Sequence, residues 1–265
     1  MRAFSPNQIA PLFTSDFTSP PKKLSGLLRL TPSLLFYSKV LTGPLFWLYH
    51  MARKNQCTDA AWCWGSQWFI QILQNLGTPI HIEGLKWLQE QKEPCVIVAN
   101  HMSTLETFFL PGLIRPYFPV TFVVKESLVR MPFFGPIMRS RNPIVVMRKN
   151  PREDLATVLE QGVLRLKSGI SVIIFPQSTR MLTFEPQKFN SIGEKLAKKA
   201  NVPLLPLALK TDAWRPGVHI RDLGPFEPGK PIYFRFAAPF TVSGPSKTYH
   251  QQILSFITAS LATWS

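Results

Sequence analysis

The 265 residues are 45% hydrophobic, 12% aromatic with 20 Phe, and only 17% charged, a composition that excludes intrinsic disorder because enough apolar surface is available to offset the entropy of ordering. With 25 Pro and 14 Gly, and with neither a collagen triplet nor an internal repeat, fibrous and solenoid architectures are excluded as well. Lys and Arg outnumber Asp and Glu by 30 to 15, a net charge of +15, so an anionic partner is expected, either acidic lipid or nucleic acid.

The three cysteines, Cys57, Cys63 and Cys95, are odd in number and lack C-x-x-C spacing, which argues against a disulfide framework or a structural zinc site and for a reducing, cytosol-facing compartment. Met1 to Ser19 has no basic start followed by an apolar core, so no export is predicted.

Residues 1–23 read as a loose Pro- and Ser-rich leader, and residues 24–77 as amphipathic, membrane-associated helices. Leu24 to Tyr49 is apolar but is interrupted by Arg29, Pro32, Lys39 and the Gly43-Pro44 pair. It therefore holds no span of about 20 apolar residues of the kind that crosses a bilayer. Two short helical pieces remain, 33–42 and 44–53, the second started by its proline. In residues 1–58 seven Lys or Arg face one acid, Asp16, and cations flanking apolar faces suit an anionic interface. Ala60 to Ile82 has no charged residue, and Gln67, Gln71, Gln74 and Asn75 recur at helical spacing opposite Trp62, Phe69, Ile72, Leu73 and Leu76. Two readings stand for this amphipathic helix, packing on the domain core or insertion into one leaflet.

From residue 78 to 265 short β-branched runs alternate with helical patterns. Strands are predicted at 79–82, 95–99, 120–125, 143–148, 171–175, 204–209 and 232–237. One helix opens at Asn150-Pro151-Arg152-Glu153 with a cap and a first-position proline and stops at Gly169. Another is predicted over 186–200, with Phe189, Ile192 and Leu196 turned inward. The alternation predicts an α/β fold with a central, mostly parallel sheet flanked by helices, in which ligands bind beyond the carboxyl ends of the strands.

Two clusters stand at such ends. His101 directly follows Val96-Ile97-Val98-Ala99-Asn100, and Glu106 comes five positions later as a helix begins. On one continuous helix the two side chains would diverge. With His101 in the turn and Glu106 in the first helical turn, the carboxylate can hold the Nδ1 proton and leave Nε2 to act as general base toward a hydroxyl. Gln177, Ser178, Thr179 and Arg180 follow the run 172–175, while Lys125 and Arg148 end two further strands. Together these offer an amide, hydroxyls and cations suited to a phosphate. No H-E-x-x-H or paired cysteines supports a metal site.

These residues resemble the glycerophospholipid acyltransferase family. Its N-H-x-x-x-x-D block is matched by Asn100-His101-Met102-Ser103-Thr104-Leu105-Glu106, with Glu in place of Asp. Its Lys and P-x-x-G are matched by Lys125 and Pro132-Phe133-Phe134-Gly135. Ile144, Val146 and Arg148 fit G-x-I-x-I-x-R, with Asn142 at the glycine position. Phe175-Pro176-Gln177-Ser178-Thr179-Arg180 stands for F-P-E-G-T-R, and Val202-Pro203-Leu204-Leu205-Pro206 for V-P-x-x-P.

The resemblance implies an enzyme that passes an acyl group from acyl-CoA or acyl-carrier protein to the free hydroxyl of a lysophospholipid, lysophosphatidic acid above all, without a cofactor. His101 would be the base and Glu106 its orienter. Lys125, Arg148, Gln177, Ser178, Thr179 and Arg180 would bind the acceptor, its phosphate clamped by Arg148 together with residues 178–180. The expected partner is a phospholipid surface, met peripherally or monotopically with the site facing the cytoplasm. Gln177 removes a negative charge from its block and Ser178 adds a hydroxyl where glycine allows close approach. The alternative is a non-enzymatic lipid-binding protein with a degenerate site. Nucleic-acid binding rests on charge alone, with no zinc finger, aromatic RNP block or recognition helix behind it.

Overall fold

The computed structural model describes residues 9–19, 31–177, 179–218 and 220–264. Part of the predicted leader and the first residues of the apolar front end, Lys22, Lys23 and Arg29 among them, lie outside these. So do Ser178 and His219.

Nine strands form one sheet among the described residues: β1 Phe17–Thr18, β2 Ile80–Glu83, β3 Val96–Ala99, β4 Val120–Lys125, β5 Ile144–Val146, β6 Ser171–Ile174, β7 Pro203–Lys210, β8 Ile232–Phe236 and β9 Phe240–Thr241. The order is β1-β2-β8-β7-β3-β6-β4-β5, with β9 on β7. β7, β3, β6, β4 and β5 run parallel, whereas β8 is antiparallel to β7 and β1 to β2. The sheet is therefore mostly parallel, as predicted.

Both faces of this sheet are buried. The period of two sends Ile97, Ala99, Ile173, Leu205 and Leu207 to one face and Val96, Val98, Val172, Ile174 and Leu204 to the other. On the first face lie α3 (Asp59–Asn75) and α5 (Leu105–Ile114). On the second lie α8 (Pro151–Lys167), α9 (Ile192–Ala200) and α10 (Ser246–Thr263). Asn150 Oδ1 caps α8 by accepting from Arg152 N at 3.0 Å. Short helices α4 (Lys86–Glu90), α6 (Glu126–Arg130) and α7 (Phe134–Arg139) fill the connections.

The front end differs from the sequence expectation in three respects. First, the latter half of the leader is pinned: Asp16 accepts from Gly84 N and Leu85 N at 3.0 and 2.8 Å, and Ser19 Oγ accepts from Ile80 N at 2.7 Å. With the β1–β2 pairing these bonds cover the outer edge of β2 and the turn that follows it. Second, α1 (Pro32–Val40) and α2 (Phe46–Arg53) are one kinked rod rather than two pieces, joined through a π turn at residues 41–45 with the break at Gly43, φ −99° and ψ −112°. Third, α3 uses its apolar face for the core. Phe69, Ile70 and Leu73 are fully buried there. The polar side is engaged too: Gln67 Nε2 donates to Ala10 O at 2.8 Å. Core packing, not leaflet insertion, is the reading that holds for α3. α1 also docks on protein, Phe36 stacking on Phe226 with centroids 4.1 Å apart. Leu34, Leu41 and Phe46 nonetheless remain exposed along the rod. Among the described residues no helix is long and apolar enough to cross a membrane.

Candidate active site

β3 is buried along its whole length, and the chain leaves its carboxyl end to enter α5 on one face of the sheet. β6 lies beside β3, Val98 level with Ile174, and leads to α9 on the opposite face. The gap between two neighbouring parallel strands whose connections part to opposite faces is where α/β sheets bind ligands. His101 and the segment after β6 stand there.

Asn100 anchors the turn, its amide pairing with both backbone groups of Leu209 at 2.8 and 2.9 Å. The turn then brings His101 Nδ1 to 2.8 Å from Glu106 Oε1. The imidazole lies flat on Phe175, centroids 4.3 Å apart and planes 15° apart, and its side chain keeps 16% exposure while Glu106 has none. Glu106 Oε1 also accepts from Met102 N at 2.6 Å and Ser103 N at 2.9 Å, so the longer arm is accommodated by backbone curling around the carboxylate. Its Oε2 accepts from Thr211 Oγ1 at 2.6 Å and stands 2.9 Å from Ser103 Oγ. Burial raises the Glu106 pKa, but the bonds from His101, Thr211 and Ser103 outweigh it and the net shift is downward. The carboxylate is therefore ionised, and an ionised partner on Nδ1 leaves Nε2 as the ring's basic nitrogen.

The remaining predicted residues, Ser178 lying outside the described ones, stand at separate places along the rim. Gln177 is buried, and its Oε1 accepts from His101 N at 2.8 Å. Its oxygen thus supports the turn's backbone, while its Nε2 is buried with no hydrogen-bond partner among the described residues. Arg180 Nη1 donates to Thr104 Oγ1 and pairs with Asp222 Oδ1 at 2.6 Å, so its charge is already met. Thr179 Oγ1 accepts from Arg221 at 2.8 Å. Arg180 thus turns to the connection after β7, whereas Lys125 ends β4 and Arg148 follows β5, both exposed. At about 4.8 Å per strand these last two lie roughly 10 and 14 Å from β3 along the rim, in the other direction. Beside Arg180 an open groove of about 400 Å³ runs between Met181, Leu182, Pro216 and Arg221.

Sequence reasoning missed Ser103, Thr104, Phe175, Thr211, Arg221 and Asp222. Thr211 directly follows β7, so the strand-end rule that selected His101 also selects it. Asp222 and Arg221 sit in an irregular connection that carries no such signal.

Asn142, at the family's glycine position, has φ +48°, a left-handed conformation that Asn tolerates better than most residues. Burial pushes the thiols of Cys63 and Cys95 up to about 12, which leaves them without nucleophilic character near neutrality. No group of three or more His, Cys, Asp or Glu able to hold a metal occurs among the described residues.

The Acyltransferase family model matches residues 79–210. A 1-acyl-sn-glycerol-3-phosphate acyltransferase from Pseudomonas aeruginosa is 37% identical over 147 residues, 56% of this chain and 54% of that protein. A chloroplastic protein of the same name from Brassica napus is 28% identical over 74% of this chain and 57% of its own length. The chain thus spans little more than half the length of these relatives. The crystal structure of the 1-acyl-sn-glycerophosphate acyltransferase from Thermotoga maritima superposes with a TM-score of 0.65, covering 88% of this chain and 95% of that one at 18% identity, which shows a shared fold. On the family match over 79–210 and these relatives, the chain belongs to the glycerophospholipid acyltransferase family.

Proposed function

We propose that this protein is a 1-acylglycerol-3-phosphate acyltransferase, which passes an acyl group from acyl-CoA or acyl-carrier protein to the free hydroxyl of lysophosphatidic acid and so makes phosphatidic acid. The observation that carries the reading is the 2.8 Å contact of His101 Nδ1 with the buried carboxylate of Glu106 at the end of β3. His101 Nε2 takes the proton of the acceptor hydroxyl as its oxygen attacks the thioester carbonyl. The C–S bond breaks, the C–O ester bond forms, and the imidazolium returns its proton to the departing thiolate. Atoms and charge balance with no covalent acyl-enzyme. A general base of this kind contributes about 10²- to 10⁴-fold, and holding both substrates in one crevice lowers the barrier further.

Lys125, Arg148 and Arg180 are the cations that would receive anionic groups. Arg180 would contact the acceptor phosphate nearest His101, by exchange with Asp222. The other two, farther along the rim, would meet phosphates of the donor or the bilayer. The reading includes peripheral docking on the cytoplasmic side of an anionic membrane. The exposed Leu34, Leu41 and Phe46 and the net charge of +15 support it.

The test is an assay of the purified chain with a panel of lysophospholipids against both donors, read by product mass. Thioester consumption that depends on lysophosphatidic acid is expected, and His101→Ala should reduce it at least 10²-fold with the fold intact. Turnover unchanged in that variant removes the base from the mechanism. A merely lipid-binding protein would consume no thioester at all.

A further inference from the structure

Among the described residues the most exposed large apolar side chain is Val218, at 94%. It stands in the connection between β7 and β8, and Ile220 and Leu223 in the same turn are 58% and 53% exposed. The turn is a tightly built object. Gly217 N donates to Arg221 O at 3.2 Å, Leu223 N to Ile220 O at 2.9 Å, and Arg215 N to Pro225 O at 3.1 Å across its base. A Cβ on Gly224 would lie 1.8 Å from Arg215 O and one on Gly217 2.3 Å from Ile220 O, so the glycines let the backbone close on itself.

Polar and apolar residues divide by direction. Arg221 donates inward to Thr179 Oγ1 at 2.8 Å and Asp222 receives Arg180 at 2.6 Å, while Val218, Ile220 and Leu223 are left to solvent. At its far end the turn is fixed to α1, Tyr37 Oη donating to Gly224 O at 2.6 Å, and α1 itself exposes Leu34. The open groove past Met181 and Leu182 begins at Pro216 and Arg221.

We propose that the turn carrying Val218, Ile220 and Leu223, whose residue 219 lies outside the described ones, is a lipid-inserting spike, placing those three side chains below the headgroups of an anionic bilayer and so setting the mouth of the groove at the membrane surface. A convex projection of three side chains is too small for a protein interface, which needs about 800 Å² per partner. It suits a fluid boundary that apolar side chains enter by about 5–10 Å. The chain's net charge of +15 matches an anionic leaflet. This deepens the acyltransferase reading and rests on it for the lipid acceptor, although insertion itself is measured without turnover.

The experiment compares the parent chain with Val218→Ser/Ile220→Ser on mixed phosphatidylcholine–phosphatidylglycerol vesicles, and adds Val218→Trp as a reporter. Vesicle binding of the double variant should fall about tenfold. Its acyl transfer should fall in step for lysophosphatidic acid held in vesicles and stay at the parent's rate for a short-chain, water-soluble acceptor. The emission that Val218→Trp adds over the parent, whose seven tryptophans are subtracted, should shift to the blue when vesicles are added. Equal vesicle binding by parent and double variant overturns the proposal. So does an emission that ignores vesicles but shifts as protein concentration rises, which would assign the turn to contact between two copies of the chain. If neither acceptor is acylated by the parent while the double variant still loses vesicle binding, the enzymatic reading fails and the spike stands.

Discussion

Thr211, 105 positions from Glu106, donates its hydroxyl proton to Glu106 Oε2 at 2.6 Å, and Ser103 Oγ stands 3.0 Å from the Thr211 oxygen. A fully buried carboxylate stays charged only where its lone pairs are met. Thr211 ties α5 to the end of β7 through that need. Thr211→Val keeps the volume and removes the donor. It should lower stability by about 1–3 kcal/mol, seen as a lower melting temperature. It should also reduce kcat several-fold with KM for the acceptor unchanged, because Thr211 acts on His101 only through Glu106. A variant that melts and turns over like the parent would show that Ser103 alone suffices.

The lowered Glu106 pKa gives a signed expectation for pH. A carboxyl whose folded-state pKa lies below its unfolded value contributes stability that is fully present above that unfolded value, about 4.5, and lost as pH falls through the lower, folded one. Glu106→Gln deletes this contribution. The difference in stability between parent and variant should be widest at neutral pH and should shrink below about pH 4.5 in acid unfolding. Activity at neutral pH should drop by about 10² or more, since the amide cannot hold the imidazole as an ionised partner does. A gap that is constant across the whole range would mean that Glu106 is not ionised in the folded chain.

Asp222 and Arg180 set up a competition. The guanidinium is only 16% exposed and its carboxylate partner 35%, so an incoming phosphate must displace Asp222 or share Arg180 with it. Asp222→Asn removes the competing charge and should lower KM for lysophosphatidic acid several-fold. Arg180→Gln should raise it about tenfold, the effect of losing one charge-assisted bond. If Asp222→Asn instead raises KM as far as Arg180→Gln does, Asp222 orders the guanidinium and does not compete for it.

Most strands were legible because the parallel sheet is buried on both faces. Runs such as Val96–Ala99 are then apolar without interruption, and polar residues directly after them fall on one rim. The Asn150 cap and the position of His101 followed from the same local rules. Roles set by long-range pairing were not legible. β1 and β9 have two residues each, too few for a period, and exist through their partners. How the rim cations group was not legible for a related reason. Arg148 follows β5 and Arg180 follows β6, both on the same side of β3, but the Arg180 side chain turns back past His101 to Thr104 and Asp222, a long-range pairing that no local pattern encodes. Nor did amphipathicity say what covers a helix's two sides: Gln67 on α3 meets backbone at Ala10 and Gly112, where the spacing alone left solvent, lipid and protein open.

That helix supplies the last prediction. α3 and α5 approach so closely that Ser66 Oγ accepts from Gly112 N at 2.7 Å and donates to the carbonyls of Phe108 and Phe109. A Cβ on Gly112 would stand 2.8 Å from Ser66 Oγ and 2.9 Å from Gln67 N, contacts that only a shift of backbone relieves. Gly112→Ala should therefore push the two helices apart at a cost of about 1–3 kcal/mol. Gly65→Ala meets chiefly the Leu48 side chain, the nearest of its atoms at 2.7 Å, which can turn away, so its cost should be smaller. Melting temperatures without lipid should rank parent, Gly65→Ala, Gly112→Ala in descending order. An unchanged melting temperature for Gly112→Ala would mean that α3 does not rest on α5 in solution, and leaflet insertion would again be the better account of its apolar face.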